Sequence, residues 1–304
     1  MRHSTRLILI LSLLLKCVAA GVEPLEAEEK ADRLILKQDG DVIGEFIFRH
    51  ATMLRPGFAN LRAPGGIQVT RHFPPIEGVD ATDHADLHPG IWLGFGDLAG
   101  EDFWRNKGSI RHDQFIKNPE WKEGSLTFAT QSTLITSKGA TLGGMISRFI
   151  LTPQERTLRI EWDASITPTS DGFYFGDQEE MGLGVRVATG INEKNGGLIT
   201  SSTGQTTAKA TWGQPAAWCD YSGVINGRHV GIMIVPDPSN AHPSWWHNRD
   251  YGVFVSNPFG RKAMKQGETS LIEVKRGETY RLRHTVIIHS SPDAKATDLQ
   301  QLLK

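Results

Sequence analysis

The stretch His242–Gly260, HPSWWHNRDYGVFVSNPFG, concentrates groups able to do chemistry. Its first ten residues hold two His, two Trp, an Arg–Asp dipeptide and a Tyr. Burying charged and imidazole groups without partners is costly, so the mix does not read as a buried strand. Two adjacent indoles are equally out of place in a plain surface loop. A concave site with aromatic walls and a few convergent polar groups accommodates both. A sugar suits such a site: its C–H faces stack on indole and its hydroxyls take donors and acceptors. The bland alternative is a structural aromatic cluster under a loop. His247 and Arg249 are the candidate catalytic groups here, and Trp245, Trp246, Asp250 and Tyr251 the candidate substrate contacts.

Three more clusters carry similar groups. In Asp83–Gly108, DHADLHPGIWLGFGDLAGEDFWRNKG, candidate catalytic His84 and His88 precede a Pro-Gly turn, and Trp104 is a candidate sugar platform. Imidazoles four apart share a helix face, but Pro89-Gly90 argues against a helix, which weakens a zinc reading. In Phe175–Arg186, FGDQEEMGLGVR, Asp177, Glu179 and Glu180 stand before an alternating strand. Carboxylates there can act as general acid or base, bind a hard cation such as calcium, or form a solvated turn. Glu180, closest to the strand, is the catalytic candidate. Trp212–Gly223, WGQPAAWCDYSG, adds Trp212, Asp220 and Tyr221 as substrate contacts, with Cys219 as a small core residue. A metal centre would need three of His84, His88, His112, His242 and His247 with nitrogens at about 2.0–2.2 Å from one ion. For each lone imidazole a structural role competes with ligation.

These groups must be positioned by strands. The chain has 304 residues, 39% hydrophobic, with formal net charge −1. That charge gives no electrostatic case for nucleic acid or an anionic membrane. Residues 1–20 read as a signal peptide: Arg2 and Arg6, the apolar run Leu7–Leu15, and Val18-Ala19-Ala20 as cleavage site. Cys17 raises a lipoprotein alternative, against which stands Lys16. Export to the periplasm or the exterior is expected, and no later segment is apolar enough to span a membrane. Cleavage leaves Cys219 alone, so no internal disulfide is available. Residues 21–31 read as a polar N-terminal segment and 32–304 as a single domain. Alternating segments such as Arg33–Lys37, Ile91–Phe95, Thr157–Ser165 and Tyr280–His289, parted by Gly-rich turns, predict a large antiparallel β-sandwich. A short C-terminal helix is expected over Ala296–Leu303.

Together, the Asp83–Gly108 stretch, WCDYSG and HPSWWHNRDYGVFVSNPFG resemble the secreted bacterial proteins grouped as the "methane oxygenase PmoA" family, over nearly the whole mature chain. The resemblance implies a galactose-mutarotase-like supersandwich, a fold shared by aldose epimerases, some polysaccharide lyases and some glycoside hydrolases. The implied substrate is a carbohydrate. Aldose epimerases use a His as acid at the ring oxygen and a Glu as base. No short motif transfers those roles, so His84, His88, Glu180 and His247 stand on local chemistry alone. Three functions follow: an exported glycan-active enzyme (hydrolase, lyase or epimerase), a metal-dependent oxygenase, or a non-catalytic sugar-binding module. A divalent cation is compatible with the second and with the Asp177–Glu180 carboxylates.

Overall fold

The computed structural model describes residues 22–169 and 171–304. The expected signal peptide lies outside the described residues. Two eight-stranded antiparallel sheets pack face to face. In the first, the spatial order is Leu25–Glu29, Arg33–Gln38, Asp41–Ile47, Gly57–Ala59, Gly90–Phe95, Met181–Arg186, Val253–Asn257 and Trp245–Arg249. In the second it is Leu198–Ser201, Cys219–Ile225, Arg228–Pro236, Tyr280–Ser290, Thr157–Pro168, Thr141–Pro153, Ser125–Ile135 and Ser109–Lys122. The all-β double-sheet architecture is the one the alternating pattern predicts.

Period-two alternation decides which side chains enter the core. Ile91, Leu93 and Phe95, Leu183 and Val185, and Phe254 point inward from the first sheet and are buried. They meet an aromatic cluster at the centre. The Phe46 ring lies 5.0 Å from Phe58 and 5.2 Å from Phe128, while Phe149 lies 4.7 Å from Phe128 and 4.9 Å from Trp162. The strands Gly90–Phe95, Met181–Arg186 and Val253–Asn257 are buried along both faces. Loops therefore cover the outside of the first sheet at its middle.

Three expectations need correction, and one strand was not foreseen. Residues 25–29, placed in a polar segment, form a strand paired with Arg33–Gln38, because Leu25 is an inward anchor. Trp245–Arg249, expected to be unsuited to a buried strand, is the edge strand of the first sheet. Its alternation sends Trp246 into the core and leaves Trp245, His247 and Arg249 on the outside, so the imidazole and guanidinium do not enter the core. Ser109–Lys122, which the alternating segments do not include, is a long edge strand with three register shifts. The C-terminal helix shrinks to one 3-10 turn, Gln301–Leu303. Side chains take the amides a helix would use: Asp293 accepts from Lys295 N and Asp298 from Gln300 N. So short a helix has little stability of its own.

The central aromatic cluster generates a direct prediction. Phe149→Ala removes a ring that touches four others and is expected to lower unfolding free energy by about 3–5 kcal/mol, read from urea unfolding midpoints.

Candidate functional site

The outward positions of the central strands form the floor of the site. They are Trp92 and Gly94, then Gly184 and Arg186, then Val253 and Val255, then His247 and Arg249. Glycine at 184 is a clearance requirement: a Cβ there would sit 2.6 Å from Trp92 Cζ2 and 3.0 Å from Trp104 Cη2. Into that gap fit two indoles at 5.2 Å and 66°. Trp104 arrives from the Asp83–Gly108 stretch, and both indoles are buried.

A column of rings rises from this floor. His88 lies parallel to Trp92 at 4.9 Å and 16°. His84 stacks on His88 at 5.1 Å and 28°, and Tyr251 lies parallel to His84 at 6.5 Å and 14°. His84 and His88 stand four positions apart, yet no helix is involved. A turn with His84 at φ 50° and a His88 N–H to His84 O bond of 3.0 Å bring the rings together. His88 is buried and His84 is exposed, so the column runs from floor to solvent.

Ion pairs orient the upper rings. Arg186 donates two bonds to Asp83, at 2.8 and 3.1 Å, and Asp83 Oδ2 holds His84 Nδ1 at 2.9 Å. The Arg186 guanidinium also lies 4.8 Å from the Tyr251 ring centroid, a cation–π distance. Two further arginines fix the covering loops through main-chain carbonyls. Arg71 binds the carbonyls of Ala81, Asp83, His84 and His88, and Arg55 binds those of Leu87, Phe103 and Trp104 together with Asn106 Oδ1.

The second half of the site lies beside Tyr251. Glu179 accepts from Arg249 Nη2 with both oxygens at 3.1 Å and faces His247 Nδ1 at 3.4 Å. The His247 contact lacks hydrogen-bond alignment, so it is an ion-pair proximity rather than a directed bond. Arg249 lies 5.8 Å over Trp212, and Arg261 lies 4.5 Å over Trp245. Glu180 contacts the Arg105 guanidinium. The charges of Arg186, Arg249, Glu180 and Asp83 all act on the Tyr251 phenol, which joins the two halves.

Protonation states follow from these surroundings. Burial alone would raise the Asp83 carboxyl, but hydrogen bonds from Arg186 and His84 and the charges of Arg186 and Arg71 hold it well below the carboxylate range. His88 is pushed well below its ordinary value by burial, then by Arg186, His84, Arg55 and Arg71, so it is a neutral imidazole. Burial raises Tyr251, keeping the phenol protonated at neutral pH. Glu179 is lowered, first by its contact with His247. Beneath the surface layer, both His88 nitrogens and the indole N–H groups of Trp92, Trp104 and Trp212 lack protein partners.

The structure thus gathers His84, His88, Trp104, Glu180, His247, Arg249 and Tyr251 on one face, with Trp212 and Trp245 beside them. Trp104 and His88 are buried supports rather than exposed platforms. Asp250 is an exposed rim residue, with Lys194 Nζ at 3.8 Å. Besides Trp104, three expected substrate contacts are corrected. Asp220 is fully buried on the second sheet, bound to His289 and Ser222. Tyr221 is in the core and donates to the Asp250 carbonyl. Trp246 is in the core and donates to the Ala216 carbonyl. A fully buried side chain has no face to offer a sugar. His112 packs between Phe48 and Phe115, and His242 lies beside Tyr280. Asp177 caps the amides of Lys262, Ala263 and Ser270, which occupies its oxygens. Among the described residues no three His, Cys, Asp or Glu side chains gather as a metal site.

Sequence reasoning did not single out Arg186, Asp83, Arg55 or Arg71. A signal existed for Arg186: it closes MGLGVR in the outward register, where only small residues precede it. A cavity of about 1060 Å³, lined by Glu45, Asn60, Gln68, His72 and Phe73 among others, lies elsewhere, and no side chain of the site lines it.

A family model matches residues 33–304. The chain belongs to DUF6807, a family of unknown function. That description carries no methane-oxygenase label. None of the curated proteins matches the chain in sequence. Among solved structures, a protein of Synechocystis sp. PCC 6803 aligns over 94% of this chain and 100% of its own, at 13% identity and TM-score 0.38. A galactose mutarotase related enzyme from Lactobacillus acidophilus aligns over 90% and 100%, at 9% identity and TM-score 0.37. An α-galactosidase from Geobacillus stearothermophilus aligns over 89% of this chain and 41% of its own, at 10% identity and TM-score 0.38. The DUF6807 chain is thus distantly similar in structure to sugar-active enzymes, and its functional argument rests on its own geometry.

Two predictions follow from the floor and the column. Gly184→Ala drives a methyl into two indoles and is expected to cost about 1–3 kcal/mol, with a changed near-UV circular dichroism signal. His88 has a folded pKa below its unfolded one. Its stabilising contribution is complete above about pH 6.5 and declines below that, as the unfolded chain binds a proton the folded protein refuses. His284, pushed down to about 3 by burial, acts with the same sign. His88→Gln should therefore reduce the acid slope of stability by up to about 1.4 kcal/mol per pH unit, measured by urea unfolding between pH 4.5 and 6.5.

Proposed function

We propose that this protein is an exported enzyme that moves protons on a saccharide ring, with His84 as general base and Tyr251 as general acid. The observation that carries the proposal is the Arg186–Asp83–His84 relay standing parallel to Tyr251 at the exposed end of the ring column. A base oriented by a carboxylate, itself fixed by a third group, is the arrangement expected of an activated proton acceptor. Asp83 holds Nδ1, which leaves Nε2 of His84 for substrate and stabilises the imidazolium after proton transfer. The phenol of Tyr251 stays protonated because burial raises it, so it begins the cycle as donor.

The carboxylates favour proton transfer over hydrolysis. A glycosidase needs one carboxyl held protonated near neutral pH and a second one opposite it. Here Glu179 is engaged by Arg249, Glu180 by Arg105 and Asp83 by Arg186, and both Asp83 and Glu179 are shifted downward. They suit positioning and imidazolium stabilisation. The half-exposed indoles of Trp212 and Trp245 offer ring faces to neighbouring sugar units. In an epimerase reaction the base takes a hydroxyl proton while the acid protonates the ring oxygen. In a lyase reaction the base takes a carbon-bound proton while the acid protonates the leaving oxygen.

Incubation with a panel of plant and algal oligosaccharides, followed by mass analysis, tests the reading. Unchanged mass with an altered anomer or epimer, or fragments lacking a water, are the expected products. Fragments that have gained water would overturn proton transfer as the chemistry, and binding with no product would overturn the enzyme itself. On an active substrate, His84→Ala and Tyr251→Phe should each lower kcat by about 10²–10⁴-fold, the range for loss of a positioned acid or base.

A further inference from the structure

The cations of the candidate face are of two kinds. Arg186 is paired with Asp83, Arg249 with Glu179, Arg105 with Asp102 and Glu180, and Lys194 faces Asp250. Arg261 differs. Its guanidinium lies 4.5 Å from the centroid of the Trp245 ring, and among the described residues it has neither an ion pair nor a hydrogen bond. Its nitrogens are not buried, so they reach solvent. Trp245 shares the outward side of its strand with His247 and Arg249, so the Arg261 stack ends the row of charged groups that begins beside Tyr251. Arg249 makes a similar stack over Trp212, at 5.8 Å, but there Glu179 takes the charge.

The loop that carries Arg261 is built onto the site. Asn257 Oδ1 accepts from the amides of Phe259 and Gly260 at 2.7 and 3.0 Å, while its Nδ2 donates to the carbonyls of Gln178 and Glu179 at 2.8 and 3.0 Å. One side chain thus ties the start of the loop to the segment that bears Glu179. Gly260 is required for that approach, since a Cβ there would lie 2.0 Å from the Gln178 carbonyl oxygen. Asp177 accepts from the amides of Lys262, Ala263 and Ser270, and Met264 is fully buried beneath the loop. Residues 259–270 carry Arg261, Lys262 and Lys265 against one acid, Glu268. Both lysines are exposed, and among the described residues neither has an ion pair. The loop is therefore fixed in position and positive in charge.

We infer that the saccharide bound on this face is acidic, and that Arg261 receives its carboxylate or sulfate group. The inference rests on the reading of the face as a saccharide site. Stacking on Trp245 holds the guanidinium plane while the fork edge stays free, and that fork matches a planar or tetrahedral anion with two parallel bonds. The other end of the face repels an anion, because Asp83, Glu179 and Glu180 stand there. Opposite fields at the two ends set the direction in which an acidic chain lies. About 13 Å of strand separates Trp245 from Arg249, so the acidic unit is a neighbour of the reacting one in an oligomer.

Calorimetric titration of the full chain with matched pairs of oligosaccharides tests the inference. The pairs are tetragalacturonate and its methyl ester, tetramannuronate and its methyl ester, and a sulfated galactan tetrasaccharide and its desulfated form. In at least one pair the acidic member should bind roughly tenfold more tightly than the neutral one, the gain expected for one charge-assisted contact. Which pair shows the gain separates carboxylate from sulfate. Arg261→Gln should abolish the difference and leave the affinity of the neutral member unchanged, whereas Arg261→Lys, which keeps the charge without the fork, should retain part of it. No acidic preference in any pair, a preference that survives Arg261→Gln, or an equal loss for both members in that variant would each overturn the inference. Binding is read without turnover. An acidic preference lost in Arg261→Gln but accompanied by no product supports the role of Arg261 and sinks the enzyme reading, while conversion of neutral members alone does the reverse.

Discussion

Two buried guanidinium groups, Arg55 and Arg71, are the constraint on which the candidate site depends. Each is almost completely removed from solvent, and each is satisfied mainly by main-chain carbonyls rather than by carboxylates. A buried cation needs dense hydrogen bonding, and the planar fork of arginine can supply it to several carbonyls at once. The loops from Ala81 to His88 and from Phe103 to Asn106 are thereby fastened over the first sheet. Burial lowers the two groups to about 9 and about 10, so both still carry charge at neutral pH. That positive field has effects above it. It helps keep His88 neutral, and Arg71 helps keep Asp83 ionised. The scaffold and the electrostatics of the ring column thus have one origin.

The period-two alternation made the sheets legible, because inward residues such as Ile91, Leu93 and Phe95 repeat with the pleat. Trp245–Arg249 is harder to read, because its alternate residues serve two different environments. Trp246 and His247 differ in fate only because neighbours on a strand face opposite ways. The chemical clusters were legible as clusters: His84, His88, Glu180, Arg249 and Tyr251 come to one face. Their pairings were not legible. Arg186 and Asp83 are 103 positions apart, and only the folded sheet brings them into contact. Asp220 shows the opposite error, since a carboxylate among aromatics looks like a binding group until its partner, His289, appears 69 residues later.

The two outer faces solve the same steric problem in the same way and reach different ends. On the first sheet, Gly184 removes a side chain so that Trp92 and Trp104 can lie flat over the strand. On the second, Gly231 removes one so that His289 can cross to Asp220. In each case a missing Cβ allows a ring to be held by contacts from strands it does not belong to, which fixes its orientation more tightly than its own rotamer preference could. The difference lies in what sits on top. Over the first floor the rings continue upward through His88 to exposed His84, so the ordered groups end at solvent, where a large substrate can reach them. Over the second, Leu299 and Leu302 pack on Trp218, Met233 and Ile287 and cover part of the face. The same local device therefore ends at solvent on one side of the sandwich and beneath a C-terminal segment on the other.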